Sequence, residues 1–309
     1  MSDGRITVLG IFVADLAFRT RALPAWGQTL LGAEYRLGPG GKGSNQAVAA
    51  ARLGAPVSLV AKVGRDAFGA LARETWLADG IDTRCCFEAD EPSGAAAIAV
   101  HPATGENAIV VVPGASALLT EAEVDRAAEL IAGSAAFVAQ LEVPLRVVEH
   151  ALALARRRGV LTILNAAPAR PLPRRVYALC DVLTPNEVEA ATLAGRPVRS
   201  LADADRAAAL LLARGARNVV ITLGRRGAFA KNAALARHVP AFHAGPAVET
   251  TGAGDAFTGA LAVALAEGRD LVAATRFACA AGAISVTRHG TSRSMPTRAE
   301  VDALLARHG

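Results

Sequence analysis

Short apolar runs recur along the chain, separated by alanine-rich stretches with helical spacing. Ile6-Thr7-Val8-Leu9-Gly10-Ile11-Phe12-Val13 is rich in β-branched residues and carries no charge, which predicts a strand over 6–13 buried on both faces. Runs of the same kind at 57–63, 136–141, 161–165, 182–185 and 219–223 predict further strands. Helical patterns occupy 44–53, 121–131, 144–158 and 203–214, and the C-terminal third turns helical at 254–267, 271–286 and 297–307. This alternation predicts an α/β fold: a mostly parallel sheet with helices on both faces.

Two stretches break the pattern. Residues 30–37 alternate Leu31, Ala33, Tyr35 and Leu37 against Gly32, Glu34 and Arg36, and 94–112 reads as two short strands around a turn at 101–106. Alternation leaves one face wet, so both belong to a small antiparallel sheet outside the main core. Paired in space, they form a lid over the C-terminal end of the parallel sheet, where ligands of open α/β folds bind. The expected division is an α/β/α domain from 1–13, 38–92 and 113–309, with a β lid from 14–37 and 93–112. There is no internal repeat or long linker.

A formal net charge of +5 first points toward nucleic acid, but the basic residues are mostly single arginines along helices, such as Arg126, Arg146, Arg214 and Arg237. The densest run, Arg156-Arg157-Arg158, closes a helix, where cations suit the macrodipole. Only 4% of residues are aromatic, too few for a base-stacking surface, so nucleic acid is excluded as a partner. Cys85, Cys86, Cys180 and Cys279 have no C-x-x-C spacing, which disfavours a thiolate metal site and predicts reduced thiols. Met1-Ser2-Asp3-Gly4-Arg5 contains no apolar leader, and no apolar stretch reaches membrane-span length without a break. The expected location is cytoplasmic, with no membrane partner.

Gly38-Pro39-Gly40-Gly41-Lys42-Gly43 fits G-x-G-x-x-G, with Asp66 at a ribose-like distance downstream. The preceding strand is the half-exposed one, however, whereas a dinucleotide fold needs a buried strand there. Gly43 also stands where a Walker A loop needs Ser or Thr. What remains is a glycine turn that lets backbone amides approach a polyhydroxyl ligand, with Lys42 and Asn45 as donors; a plain turn competes on even terms. Gly252-Ala253-Gly254-Asp255 carries more. It opens a helix, so its unpaired amides form an anion hole, and Asp255 stands beside it as a candidate base for an attacking hydroxyl. Its competitor is a helix-capping aspartate. Asn186 and Glu189 share a helical face, suiting hydrated magnesium or an ordinary capping box. Ile221-Thr222-Leu223-Gly224-Arg225-Arg226-Gly227 ends a strand in a glycine turn able to seat a phosphate.

In order along the chain, these motifs, with Gln140-Leu141-Glu142 and Asn165-Ala166-Ala167-Pro168-Ala169-Arg170, resemble the ribokinase (PfkB) family of carbohydrate kinases from Val8 to Pro296. The resemblance implies a ribokinase-like three-layer fold, transfer of phosphate from ATP to D-ribose with Mg2+, and a homodimer clasped through the lid. It implies that Asp15, Gly40, Gly41, Lys42, Asn45 and Glu142 hold the sugar, and that Asp255 deprotonates its primary hydroxyl beside the Gly252, Ala253 and Gly254 amides. Asn186, Thr222, Leu223, Gly224, Arg225, Arg226, Gly227 and Gly254 would hold ATP, with Cys279 near adenine and Glu189 on hydrated Mg2+. Glu249, Thr251, Ser285, Arg288, Gly290 and Ser294 map to a K+ site.

Three positions depart from the family: Val13 replaces an asparagine, Glu249 an aspartate and Cys279 a histidine. Val13 removes one polar contact to the sugar, which keeps another pentose, fructose, keto-deoxygluconate or a nucleoside open as acceptor. A sugar phosphate is disfavoured, because no extra basic cluster adjoins the predicted sugar residues. The non-enzyme alternative, a sugar-sensing pseudokinase, predicts loss of the base or the anion hole, and the sequence retains both.

Overall fold

Alternate residues of the first strand, β1 (Ile6–Leu9), enter different cores: Ile6 and Val8 join one apolar cluster and Leu9 the other. That division runs across the sheet and is why helices cover both faces. The computed structural model describes residues 4–103 and 107–308; residues 1–3, 104–106 and 309, hence the start of the expected leader-free N-terminus and part of the 101–106 turn, lie outside the described residues.

In chain order the next strands are β2 (Val13–Arg19), β3 (Glu34–Gly40), β4 (Val57–Gly64), β5 (Asp82–Ala89), β6 (Ser93–Val100) and β7 (Asn107–Gly114). They are followed by β8 (Ala136–Ala139), β9 (Leu161–Leu164), β10 (Val182–Leu183), β11 (Asn218–Thr222), β12 (Ala228–Asn232) and β13 (Ala236–Val239). The main sheet has nine strands in the order β13-β12-β11-β10-β9-β8-β1-β4-β5. It is parallel except for β12 and β13, which add antiparallel at one edge. The separate four-stranded sheet, β3-β2-β6-β7, is the lid. It is mixed rather than antiparallel as expected: its two hairpin-like pairs are antiparallel, but β2 and β6 join them in parallel. The fold is thus the expected ribokinase-like α/β architecture with a smaller second sheet. Among the described residues no helix is long and apolar enough to cross a membrane.

The differences in detail have local causes. The expected strand over 6–13 stops at Leu9, because a Cβ on Gly43 would lie 2.5 Å from Gly10 Cα: the start of the helix Lys42–Arg52 presses on the chain there. The chain then leaves the main sheet, and its apolar continuation becomes β2 of the lid. The lid strand expected at 30–37 starts later and runs through Gly40, and residues 34–37 are exposed rather than alternately buried. β5 carries a mixed polar pattern and β12 and β13 are short as well as mixed, so periodicity does not announce them. The helix expected over 121–131 is two pieces, Glu121–Arg126 and Ala128–Ala132.

Candidate active site

Four adjacent parallel strands, β8 to β11, deliver polar residues at or just past their C-terminal ends. Gln140 and Glu142 follow β8, Asn165 follows β9, Asn186 follows β10, and Thr222 ends β11. Two glycines bring the helix Lys42–Arg52 into this ring. Gly41 caps it at φ 88°, and a Cβ there would lie 2.6 Å from Ile11 O, so no side chain fits. Asn45 and Gln46 are thereby carried, buried, to the N-terminus of the helix Ala253–Ala266.

Asp255 lies in the first turn of that helix and is buried. Its carboxylate accepts from Asn45 Nδ2 at 2.9 Å and from Gln46 Nε2 at 3.0 Å. Gln46 Nε2 also donates to Asn165 Oδ1 at 3.1 Å, and its carbonyl accepts from Gln140 Nε2 at 2.7 Å. A helix cap needs none of this: Gly252, with φ 86°, caps the helix, and Asp255 caps nothing with its side chain. The Ala253 and Asp255 amides turn back onto Thr250 O and Gly252 O, at 3.3 and 3.0 Å. The amides of Gly252 and Gly254 have no partner among the described residues, and a Cβ on exposed Gly254 would meet nothing within 4 Å. An oriented carboxylate therefore stands beside an open pair of amide donors at a helix N-terminus, where negative charge is favoured.

Asp15 approaches from the lid strand β2. Its Oδ2 lies 3.0 Å from Thr291 Oγ1, whose one proton serves either this carboxylate or Pro39 O at 2.8 Å. Glu142 Oε2 accepts from Lys42 N at 3.0 Å. Burial pushes Asp15 up to about 6 and Glu142 up to about 7, with Asp255's charge adding to both. Lys42 is pushed up in turn, by Asp255 first and then by Glu142, Glu189 and Asp15. One ammonium among carboxylates with spare lone pairs suits a neutral ligand rich in hydroxyl groups. A cavity of about 520 Å3 opens from Asp15 between the lid and the 247–251 and 289–293 segments. A second cleft of about 350 Å3, around Leu172 and Tyr177, contains none of these residues.

The remaining expected residues divide into two groups. Asn186 and Glu189 form a reciprocal capping box, at 2.9 and 2.8 Å, so one Glu189 oxygen is committed to structure. Burial raises Glu189 above the usual carboxylate range. Thr222 pairs with Asn186, and Gly224–Arg226 forms a short 3-10 turn closed by Leu223 N to Gly227 O at 2.8 Å. The Arg226 side chain is spent on Glu187 and on Arg199 O, whereas Arg225 lines the cavity. Cys279 is buried in the helix Leu271–Ser285, its thiol pushed up to about 12 by that burial. Glu249, Thr251 and Gly290 meet at the cavity, with Gly290 N donating to Glu249 Oε2 at 3.0 Å. The Ser285 and Ser294 hydroxyls donate to Gly282 O and Thr291 O and keep their oxygen lone pairs, whereas the Arg288 side chain pairs with Glu300, so Arg288 could offer a cation only its carbonyl. Among the described residues no cluster of His, Cys, Asp and Glu forms a resident metal centre.

Sequence reasoning missed Gln46, Thr291 and Ser292 as site residues. Gln46 sits inside the glycine-lysine motif and was legible by its one-residue offset from Asn45. Thr291 and Ser292 follow no motif, and only folding brings them to Asp15 and Asn45.

An open α/β sheet with a lid, a buried oriented carboxylate at a helix N-terminus and a hydroxyl-accepting cleft define a kinase of small polyhydroxylated molecules. Comparison with known proteins carries this further: the sequence profile described as pfkB family carbohydrate kinase matches residues 3–298, and the chain belongs to that family. It is therefore a phosphotransferase that acts on a sugar hydroxyl. It is 40% identical over 296 residues to a ribokinase of Haemophilus influenzae, covering 96% of each chain. It is 37% identical over 303 residues to a deoxyribokinase of Salmonella typhi, covering 97% of this chain and 98% of that one. The structure of Arabidopsis thaliana ribokinase complexed with ribose and ATP superposes with a TM-score of 0.92 at 30% identity, covering 99% of each chain.

Proposed function

We propose that the chain transfers the γ-phosphoryl group of MgATP to the primary hydroxyl of D-ribose, giving D-ribose 5-phosphate, with Asp255 as the base. The observation that carries this is the Asp255 carboxylate, held by Asn45 and Gln46 beside the unpartnered Gly252 and Gly254 amides. The hydroxyl proton passes to Asp255 as the sugar oxygen bonds to the γ-phosphorus, and the bond to the ADP oxygen breaks. The free amides take charge on the transferring group. Asp15, Glu142, Lys42 and the backbone of Gly40 and Gly41 hold the sugar hydroxyls.

Asn186, the 222–227 turn and the surface around Cys279 would hold the nucleotide. Glu189, with an oxygen beyond its capping bond, suits a hydrated Mg2+, which when bound neutralises charge across the β- and γ-phosphates. The backbone carbonyls around Glu249, Thr251 and Gly290 suit K+. The outer face of the lid carries Phe18, Tyr35, Leu37, Val110 and Val112, all exposed, and by strand register they share one side. A second copy covering that face gives a homodimer. The four free cysteines fit a reducing compartment, and we place the enzyme in the cytoplasm.

A 2-deoxy sugar is the second reading. Val13 lies on the Asp15 face of β2 and is buried, so it offers no hydrogen bond where the family has an amide. Phosphorylation rates for D-ribose, 2-deoxyribose, fructose and adenosine, with and without potassium, test both readings. No turnover of any pentose would overturn them.

A further inference from the structure

Five buried residues on five elements form one hydrogen-bonded chain that ends at Asp255. Gln140, Asn165 and Thr184 follow the adjacent strands β8, β9 and β10, and Gln46 comes from the helix Lys42–Arg52. Asp255 lies in the first turn of the helix Ala253–Ala266. The direction of every bond is forced from the two ends of the chain. An ionised Asp255 can only accept, so Gln46 turns Nε2 toward its Oδ1, at 3.0 Å. Thr184 O can also only accept, so Asn165 gives it Nδ2 at 2.8 Å and presents Oδ1 to the second Gln46 proton, at 3.1 Å. Gln46 Oε1 is left facing Gln140, which answers with Nε2 at 2.7 Å.

That last bond leaves an orphan. Among the described residues, Gln140 Oε1 is the one buried side-chain nitrogen or oxygen without a hydrogen-bond partner. It presses on the chain just past β1, where a Cβ on Gly10 would lie 2.3 Å from it. Turning the Gln140 amide over would set its oxygen against Gln46 Oε1 and lose the bond between them. A buried acceptor without a donor costs stability, and apolar side chains would join this helix to the strand ends without that cost. Packing alone therefore does not account for the chain. Its effect is visible at the base: Asn45 Nδ2 holds Oδ2 at 2.9 Å while Gln46 Nε2 holds Oδ1. Each oxygen has one amide donor, which fixes the plane of the carboxylate and leaves a lone pair on each for an incoming hydroxyl.

We infer that Gln46 sets the plane of the base, and that Gln140 and Asn165 are positioning residues that hold Gln46 in its donating sense. This rests on the kinase reading above, with Asp255 as base, and adds to it two residues that act only through that base. Gln140 grips the Gln46 carbonyl and Asn165 takes its spare proton, so loss of either loosens the amide.

The test measures the single-turnover rate at saturating substrates, the KM for sugar and for ATP, and thermal melting. It compares the full chain with Gln46→Leu, Gln140→Met and Asn165→Leu, each alone and combined with Asp255→Asn. Gln46→Leu should slow turnover about tenfold or more, the loss of one charge-assisted hydrogen bond, with both KM values within about twofold of the parent. Gln140→Met should slow it by a factor of about three to ten yet melt close to the parent, since it removes one unpaired buried oxygen and creates another on Gln46. If Gln46→Leu does not fold, Gln140→Met carries the test. In the Asp255→Asn background none of these changes should slow the residual reaction further, because they act through a carboxylate that is gone. Rates that fall by the same factor with and without Asp255 overturn the inference. So do lowered melting temperatures with unchanged rates, or a KM that rises while the rate holds. A slow Asp255→Asn beside Gln46 and Gln140 variants as fast as the parent overturns the inference alone and leaves the kinase reading standing. A parent that phosphorylates no sugar, or an Asp255→Asn variant as fast as the parent, overturns both.

Discussion

Ser292 donates from its hydroxyl to Asn45 Oδ1 at 2.6 Å across 247 positions of sequence, and so fixes which end of the Asn45 amide faces Asp255. With its carbonyl held, the amide can only donate to the base, at 2.9 Å. Ser292→Ala frees the amide to turn its oxygen toward the carboxylate. A drop of about tenfold in kcat with little change in sugar KM is expected in steady-state kinetics, the size of one charge-assisted hydrogen bond. Ser292→Thr should retain most of the activity.

The neighbouring Thr291 grips the other carboxylate, Asp15, and its hydroxyl works against the burial that raises that group to about 6. Thr291→Val should therefore raise Asp15 further and weaken sugar binding. The expected result is a sugar KM increased about tenfold at pH 7, recovering partly at pH 8.5, with kcat less affected.

Asp15 and Glu142 also set a pH dependence. Both must be ionised to accept sugar hydroxyl protons, so kcat/KM for the sugar should be full above pH 8 and fall as pH drops through about 7 and then about 6. Stability runs the other way. Both groups sit above their ordinary values of 4.5 and 3.8, so the folded chain binds protons that the unfolded chain has lost. Their contribution to stability thus falls as pH rises from about 4 to 7. Glu142→Gln should melt higher than the parent at pH 8, lose that advantage at pH 4, and bind sugar poorly throughout.

The contact between Gly43 and Gly10 holds the sugar-binding helix against β1. A Cβ on Gly43 would lie 2.5 Å from Gly10 Cα and 2.9 Å from Gly10 C, both backbone atoms that cannot yield cheaply. Gly43→Ala should destabilise the protein by about 1–3 kcal/mol, seen as a lower melting temperature, and displace Asn45 enough to reduce turnover. Gly54→Ala, where a Cβ meets nothing but φ is 92°, should cost less and leave kinetics unchanged.

Much of this architecture is legible in the sequence, because buried parallel strands read as unbroken apolar runs and the site residues follow their C-terminal ends. Asp255 and Asn45 stand in glycine-rich helix starts, a local signal. The lid was only partly legible. β2 continues an apolar run that also suits a core strand, and it is separated from β1 by a contact with Gly43 that no periodicity encodes. Thr291 and Ser292 were not legible at all, since their roles arise from long-range packing. Asn186 and Glu189 show the opposite: the capping box weighed as their local competitor is present, and any nucleotide role must share those atoms.

Asp255→Asn is the most direct test of the base. The substitution preserves shape and removes the proton acceptor, so single-turnover phosphorylation of the best acceptor should slow by several orders of magnitude while calorimetry shows sugar affinity within a few-fold of the parent. Turnover close to that of the parent would contradict the assignment of Asp255 as the base.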